Sequence, residues 1–306
     1  MAAARARTAL CALAAAALTG VAGAATPPAP PGILALGANG RDLGAIVQMD
    51  TRGHGWKVIR ADVEGAYEPV FSRDGRMLAF ISGEFRELWV AAADGTRARR
   101  ILRIRGQASL SAPTWSPDGR RIAYSGASPM GASDRRAGLW IIDVATRRGR
   151  LLTPMRLDGP DWSPDGRWFA HAVGAPADQA GLWLLSSDGK RRRRLTTGPV
   201  TSPRWSPGGR WIAYQAWAET STDSDEVRII EPATGRMRTV ASPATSPLAW
   251  SPDGVWLAYT TSYEEMQTYD EVFLVLRIRR IRDGAHRVVL DTRMSDLYAL
   301  SWRARI

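Results

Sequence analysis

The sequence predicts an all-β fold: a six-bladed β-propeller of four-stranded antiparallel blades, with the last blade closed by the N- and C-terminal strands. The first observation is a phrase of the form Trp-Ser-Pro-Asp-Gly-Arg, which recurs along the 306 residues. The second is its period, since successive serines of the phrase lie 43 to 50 residues apart. A period of about 40 to 50 residues in a strand-rich chain is typical of one blade per repeat. The serines are Ser72, Ser116, Ser163, Ser206, Ser251 and, in a truncated last copy with the order inverted to Ser-Trp, Ser301.

Each repeat divides into four predicted strands, named A to D, and the unit around Trp115 shows their order. Strand A is predicted at 112–116, B at 121–125, C at 139–144 and D at 150–153. The Ser-Pro-Asp-Gly turn joins A to B, because proline presets φ, aspartate binds the local backbone and glycine accepts a positive φ. Asp-Gly or Thr-Gly pairs between later apolar runs predict a hairpin between C and D.

The two ends of the chain are predicted to share one blade. Residues 33–36, 45–49 and 56–60 are predicted as strands B, C and D, and the final segment, 297–306, supplies strand A. This arrangement closes the ring and leaves no open sheet edge between the first and last blades.

Residues 1–24 have the layout of a secretory signal peptide. Arg5 and Arg7 precede an apolar run at 8–21, and Ala22-Gly23-Ala24 supplies the small residues of a cleavage site. The only cysteine, Cys11, lies in this segment, so the processed chain would form no disulfide. We therefore expect a periplasmic or secreted protein, cleaved near Ala24, with a Pro/Ala-rich linker at 25–32 and a propeller over 33–306.

The chain is strongly basic, with 41 Lys and Arg against 30 Asp and Glu and a formal net charge of +11. A basic protein suits a nucleic-acid partner, but the predicted export argues against one. The arginines cluster in strand D and the turn before it, where charge would block edge-to-edge pairing between molecules. The alternative interpretation is a rim of arginines that binds an anionic envelope surface.

The repeated aromatic residues are interpreted as packing between blades, because aromatic area dominates such contacts. One position of the repeat holds Phe71, Trp115, Trp162, Trp205, Trp250 and Trp302. His171 takes the strand B position that Tyr124 and Tyr214 occupy in other repeats, so it is interpreted as a packing substitution.

The units Trp-Ser-Pro-Asp-Gly-Arg, Ile-Ala-Tyr, Leu-Trp and Asp-Gly resemble the repeats of TolB-like β-propellers. The resemblance covers residues 33–306 and is to the propeller portion only, since the family's periplasmic protein also has an N-terminal α/β domain. It implies a periplasmic role in which the propeller binds envelope proteins. One of these is a peptidoglycan-associated lipoprotein, which binds at the mouth of the propeller channel.

Candidate partner-binding residues fall on the face made by the B–C and D–A connections. Long loops that carry aromatic residues on a rigid scaffold are common binding sites. Trp217, Tyr263 and Tyr269 lie in the predicted B–C loops beside several acidic residues. The inner ends of the A strands add charged residues around the predicted channel mouth: Glu68, Asp158, Asp161, Arg204 and Asp296.

These features favour an exported, non-catalytic propeller that binds a protein or peptide of the cell envelope. The chain has no Gly-x-Ser-x-Gly elbow and no phosphate loop, and no cofactor is expected. No metal is predicted, because the three histidines come from different repeat positions and the acidic segment 223–226 lacks the spacing of a calcium loop. The alternative is a channel-centred hydrolase or lyase, with or without a metal, that uses Glu68, Asp158, Asp161 and Asp296.

Overall fold

The described strands form six antiparallel sheets of four strands each, one sheet per blade. The computed structural model describes residues 30–39, 44–55, 57–60, 65–104, 109–127, 138–155, 157–174, 176–217, 225–264, 272–292 and 297–304. The predicted signal peptide and most of the linker lie outside these ranges. Within them, no helix has the length and apolar character needed to cross a bilayer.

The strand bounds follow the order predicted for the repeat. Blade 1 begins with β1 (Ile33–Asn39), β2 (Gly44–Asp50) and β3 (Lys57–Arg60). Blade 2 contains β4 (Ala66–Phe71), β5 (Met77–Ser82), β6 (Glu87–Ala92) and β7 (Arg99–Arg103). Blade 3 contains β8 (Ser109–Trp115), β9 (Arg121–Ala127), β10 (Gly138–Asp143) and β11 (Gly149–Thr153).

The remaining blades keep this order. Blade 4 contains β12 (Asp158–Trp162), β13 (Trp168–Val173), β14 (Gly181–Ser186) and β15 (Arg192–Arg194), with a 3-10 turn at Ala177–Gln179. Blade 5 contains β16 (Val200–Trp205), β17 (Ile212–Ala216), β18 (Glu226–Ile230) and β19 (Met237–Ala241). Blade 6 contains β20 (Thr245–Trp250), β21 (Trp256–Glu264), β22 (Val272–Arg280) and β23 (His286–Thr292).

The last strand, β24 (Leu297–Arg303), returns to blade 1 as its strand A. It pairs antiparallel with β1, so that Leu36 lies opposite Leu300 and Ile33 opposite Arg303. It also contacts β4 on one side and β20 on the other. The six A strands therefore line the centre of the ring and the D strands lie outermost, which confirms the predicted closure.

Blade 6 departs from the prediction in the length of its central hairpin. Strands β21 and β22 are nine residues each, and Tyr263 pairs with Phe273 within them. The backbone of Tyr263 therefore belongs to a strand, and its assignment to the B–C loop was wrong. The reason is local, since β-branched and aromatic residues at 260–263 and 272–273 favour continued pairing beyond the usual end of strand B.

The repeated aromatic position joins neighbouring blades, as interpreted from the sequence. Phe71, Trp115, Trp162, Trp250 and Trp302 are each less than 9% exposed, whereas Trp205 is half-buried. The Trp115 indole donates to the carbonyl of Val70 in blade 2 at 3.1 Å, and the Trp250 indole donates to the carbonyl of Arg204 in blade 5 at 3.0 Å. Each of these indoles thus crosses to the blade before it.

Several strand D arginines also join blades. Arg99 donates to the carbonyl of Val144 in the next blade at 3.1 Å, and Arg238 donates to the carbonyl of Ile281 at 2.8 Å. Arg193 donates to the carbonyl of Pro232 in the same way. These three arginines therefore bind neighbouring blades together, a role that the sequence analysis did not predict for the strand D arginines.

Removing strand β24 should destabilise every blade, because it exposes the inner edge of β1 and breaks the ring. We expect truncation after residue 296 to lower the melting temperature by about 10 °C or more, or to abolish cooperative unfolding. Calorimetry of the truncated and full-length proteins checks this. Truncation after Arg303, which leaves β24 intact, is the control, and equal melting temperatures for all three proteins would contradict the prediction.

Candidate binding site at the channel and the loop face

A β-bulge recurs in the strands that line the channel. Three residues before the aromatic position, the backbone takes a positive φ in four successive blades, and the pairing with strand B shifts register nearby. The φ values are +51° at Glu68, +49° at Ala112, +55° at Gly159 and +53° at Ser202. Such values are uncommon outside glycine. Their recurrence makes the bulge a property of strand A that bends the strand and re-aims its side chains.

Glu68 occupies this bulge in blade 2 and faces residues from three other blades. Its carboxylate accepts a hydrogen bond from the backbone N–H of Ala112 in blade 3. The channel leaves Glu68 partly exposed, yet protein surrounds the carboxylate and burial raises its pKa. The Ala112 hydrogen bond and the charge of Arg204 oppose that rise, whereas the charge of Asp158 adds to it. The channel thus brings Glu68, Asp158 and Arg204 into electrostatic contact.

Asp161 bridges three blades through both of its carboxylate oxygens. Oδ2 accepts from the backbone N–H of Trp205 at 2.7 Å, and Oδ1 accepts from the hydroxyl of Thr114 at 3.1 Å. Burial raises the pKa of Asp161, and the nearby charges of Arg204 and Arg73 oppose that rise. Both oxygens of the Asp161 carboxylate therefore stabilise contacts between blades.

Residues at the equivalent position of two other blades also accept a backbone hydrogen bond from the next blade. The Thr114 hydroxyl accepts from the backbone N–H of Trp162 at 3.2 Å, and the Ser301 hydroxyl accepts from the backbone N–H of Phe71 at 3.0 Å. The residue that precedes the repeated aromatic thus binds the backbone of the next blade. We call these residues, with Asp161, the channel belt.

Arg73 crosses the channel at its far end and was not singled out from the sequence. Its guanidinium donates from Nη1 to the carbonyl of Pro207 at 2.9 Å, although the two residues are 134 positions apart. Blades 2 and 5 stand opposite each other in a ring of six, so this bond spans the opening at the A–B turns. The sequence did mark Arg73 as unusual, because the next four copies of the phrase have proline at its position.

Trp217 is the aromatic candidate whose side chain the structure describes, and it lies beside the channel mouth. Its indole is 52% exposed, and Nε1 lies 3.4 Å from the hydroxyl of Thr201 on strand A of blade 5. Its backbone N–H donates to the carbonyl of Pro199 in the D–A connection at 3.1 Å. Trp217 is therefore held at the boundary between the channel and the loop face.

Trp217 also lines an open groove of about 980 Å³ that extends outward between blades 4 and 5. The D–A connection at 195–199 forms one wall, and the other includes the ion pair of Glu226 and Arg228, whose atoms approach to 2.6 Å. Met237, 46% exposed, lies towards the opposite end. The groove offers both apolar and charged surface on a rigid support.

The remaining candidates divide by where they fall. Asp158 is exposed at the mouth, whereas Asp161 and Arg204 lie deeper in the channel. Tyr269 and Asp296 lie outside the described residues, and of Tyr263 only the backbone is described. Within the described ranges, no group of three or more His, Cys, Asp or Glu side chains is placed to hold a metal ion.

His171 is fully buried in strand B of blade 4. Its Nδ1 lies 3.3 Å from the carbonyl of Ala172, and its Nε2 has no hydrogen-bond partner among the described atoms. Burial lowers its pKa to about 4, so the neutral ring is the stable form. This placement agrees with a packing substitution.

Comparison with known proteins identifies the fold. No protein-family model matches the chain. The curated Tol-Pal system protein TolB of Chromobacterium violaceum is 31% identical over 99 residues, which is 31% of this chain and 22% of that protein. The chain's match thus spans about a fifth of the length of this curated relative.

Solved structures show the same propeller. TolB from Acinetobacter baumannii has a TM-score of 0.72 at 20% identity, over 97% of this chain and 72% of that chain. A putative TolB from Agrobacterium tumefaciens has a TM-score of 0.63 at 19% identity, over 85% and 88% of the two chains. An oligogalacturonate lyase in complex with manganese has a TM-score of 0.60 at 16% identity, over 81% and 71%. The chain therefore has the six-bladed propeller fold that these TolB structures share, and identities this low show the fold alone.

Replacing Asp161 should separate its structural role from its charge. Asp161→Ala leaves the Trp205 N–H without its acceptor, and we expect it to lower the free energy of unfolding by about 2 kcal/mol. Asp161→Asn keeps an acceptor for that N–H and should cost less than half as much. Urea unfolding of both variants measures the difference, and equal losses would show that the charge outweighs the hydrogen bonds.

Acid should destabilise the protein partly through His171. Between pH 6.5 and 4 the unfolded chain protonates this histidine whereas the folded protein does not, so stability falls with pH across that window by up to about 3 kcal/mol. His171→Tyr, which supplies the residue of blades 3 and 5, should remove that part of the pH dependence. Unfolding free energies of both proteins at pH 7 and pH 4 give the comparison, and parallel pH profiles would contradict this assignment.

Proposed function

We propose that the chain is a non-catalytic β-propeller that binds a protein or peptide partner of the cell envelope. The partner would engage the face made by the B–C and D–A connections, together with the channel mouth. This face joins an exposed aromatic residue, a long groove and a charged channel on one rigid scaffold.

The observation that carries the proposal is the position of Trp217. Large, half-exposed aromatic residues beside well-formed hollows are the usual energetic centres of protein interfaces. Trp217 lines the groove and also approaches Thr201 at the channel mouth. A single bound segment that covers the indole would therefore reach both surfaces.

The channel adds charge complementarity to this surface. Asp158 is exposed at the mouth, and Glu68 and Arg204 lie below it within electrostatic reach. A bound peptide end or side chain would meet both signs of charge there, which favours selectivity of partner over non-specific adhesion. Tyr263, Tyr269 and Asp296 stay part of the proposed surface.

The fold and the predicted export support an envelope location. Proteins named TolB, one of them described as a Tol-Pal system protein, share this propeller or part of its sequence. We propose that residues 1–24 are removed near Ala24 and that the mature chain acts in the periplasm or outside the cell. The arginine-rich turns on the opposite face would suit an anionic envelope surface.

The alternative function is a channel-centred hydrolase or lyase. Burial raises the pKa values of Glu68 and Asp161, which favours it, because carboxyl groups with raised pKa values are candidates for acid catalysis. Asp161 fits this role poorly, since backbone and hydroxyl donors of other blades occupy both of its oxygens.

Capture of partners from a native envelope extract tests the proposal. The mature protein, residues 25–306, is compared with the Trp217→Ala/Tyr263→Ala/Tyr269→Ala variant as bait. We expect a protein that the wild type retains and the triple variant loses, because the variant lacks the aromatic anchors. Unchanged melting temperature ensures that the variant is folded.

Val288→Ala is the control bait, because Val288 is an exposed apolar residue, 42% accessible, on the outer strand of blade 6. It should retain the same protein as the wild type. Equal capture by the triple variant would place the interface elsewhere. A well-folded wild-type bait that retains no specific protein would favour the channel enzyme.

A further inference from the structure

A second hollow lies on the opposite face of the ring, between the turns of blades 5 and 6. It is an open hollow of about 370 Å³, lined by four arginines around the half-buried Trp211. It is separate from the groove and the channel mouth. Its wall includes Arg210, Trp211, Arg236, Arg238, Ile281 and Arg282.

The C–D turn of blade 6 carries more positive charge than the turns that share its geometry. In blades 3, 5 and 6 the N–H of the fifth turn residue binds the carbonyl of the first, at 2.8, 2.9 and 2.9 Å. The first residue is acidic in blades 3 and 5, as Asp143 and Glu231, but is Arg280 in blade 6. The third residue is alanine in blades 3 and 5 but is Arg282 in blade 6.

The A–B turn of blade 5 loses a negative charge at the same place. Aspartate occupies the fourth position of the Trp-Ser-Pro-Asp-Gly phrase in the other complete copies. In blade 3 this residue is Asp118, whose carboxylate accepts a hydrogen bond from the Ser116 hydroxyl at 2.5 Å. Blade 5 has Gly208 there, two residues before Arg210. Gly208 in blade 5 and Arg280 and Arg282 in blade 6 therefore depart from the repeat in the direction of positive charge, whereas Val255, which also lines the hollow, replaces the arginine of the other copies.

The carboxylates near the hollow are already paired. Glu231 accepts from Arg210 at 3.0 Å, and Asp283 pairs with Arg280 at 2.8 Å and with Arg282 at 3.4 Å. Asp253, in the A–B turn of blade 6, accepts from the Ser251 hydroxyl. Among the described residues, no carboxylate lies within 4 Å of the guanidinium of Arg236 or Arg238. The pKa of Arg238 is lowered by burial and by the charges of Arg236, Arg279 and Arg210. The cluster thus repels itself, and a bound anion would relieve that repulsion.

We propose that this hollow binds a phosphate group, borne by either a soluble molecule or a lipid headgroup. Planar guanidinium groups donate in pairs to the oxygens of phosphate, which is why arginine clusters recognise it. Arg238 is held in place by its bond to the carbonyl of Ile281, at 2.8 Å. Arg236 and Arg282 are exposed on either side and supply donors from the two blades. The site does not depend on the partner proposed for the loop face.

Titration of the mature protein with inorganic pyrophosphate at low ionic strength tests the site. Arg236→Ala and Arg282→Ala should each weaken binding about tenfold, because each removes a charge-assisted contact. Both substitutions copy residues found at the same turn positions of sibling blades, Ala285 for the first and Ala145 or Ala233 for the second. Added salt should weaken binding to the wild type, since exposed charges are screened.

Arg148→Ala is the matched control, because Arg148 holds in blade 3 the turn position that Arg236 holds in blade 5. It should bind pyrophosphate as the wild type does. An equal loss in Arg148→Ala would show a diffuse positive field and overturn the site. Equal binding by the wild type and the Arg236→Ala/Arg282→Ala variant would overturn it as well.

Vesicles distinguish the two sources of phosphate. Sedimentation with phosphatidylglycerol vesicles but not phosphatidylcholine vesicles, lost in the double variant, would support a lipid headgroup. Pyrophosphate binding without vesicle binding would support a soluble ligand. A wild-type protein that binds neither pyrophosphate nor phosphatidylglycerol vesicles would refute the proposal.

Discussion

The antiparallel pairing of β24 with β1 is the constraint on which the rest of the structure depends. Each blade buries its faces only against its two neighbours, so a ring with a missing strand leaves apolar faces and an open edge at the break. Strand β24 completes blade 1 and brings Trp302 between blades 1 and 6 and Ser301 to the backbone of Phe71. Closure therefore sets the spacing of the A strands, and with it the width of the channel.

The channel belt explains why the charged residues of the A strands serve two purposes. Thr114, Asp161 and Ser301 accept backbone hydrogen bonds from the next blade, so their polar atoms stabilise the ring. Glu68 and Asp158 lie nearer the mouth. There the charge of Asp158 helps raise the pKa of Glu68, and the charge of Arg204 opposes that rise. A binding function of the channel therefore depends on the mouth residues, because the polar atoms of the channel belt already form hydrogen bonds between blades.

The two faces of the ring offer different chemistry for a related reason. Turns between A and B and between C and D are short and repeat closely, so single substitutions there, such as Gly208 and Arg282, change local charge without altering the fold. The D–A connection and the end of strand B on the other face vary more and leave Trp217 half exposed beside a groove. Arg99 and Arg193 bond across blades and belong to the scaffold, whereas Arg238 bonds across blades and also lines the hollow around Trp211.

The sequence by itself determined the six blades, the order of their strands and the shared blade at the termini. These follow from local turn chemistry and a period of one blade, both of which are written in neighbouring residues. It also placed Trp217 on the loop face and Glu68 and Asp158 near the axis. It misassigned Tyr263, because the point at which a hairpin stops pairing depends on cross-strand neighbours that a single strand does not reveal.

Only the tertiary structure decided which charges meet. Arg73 reaches Pro207 across 134 residues, and Glu68, Asp158 and Arg204 converge from blades 2, 4 and 5. The arginines around Trp211 gather from two blades in the same way. Such contacts depend on the radius of the closed ring and on how far each strand A is bent by its bulge. Those are properties of all six blades together, and no single repeat specifies them.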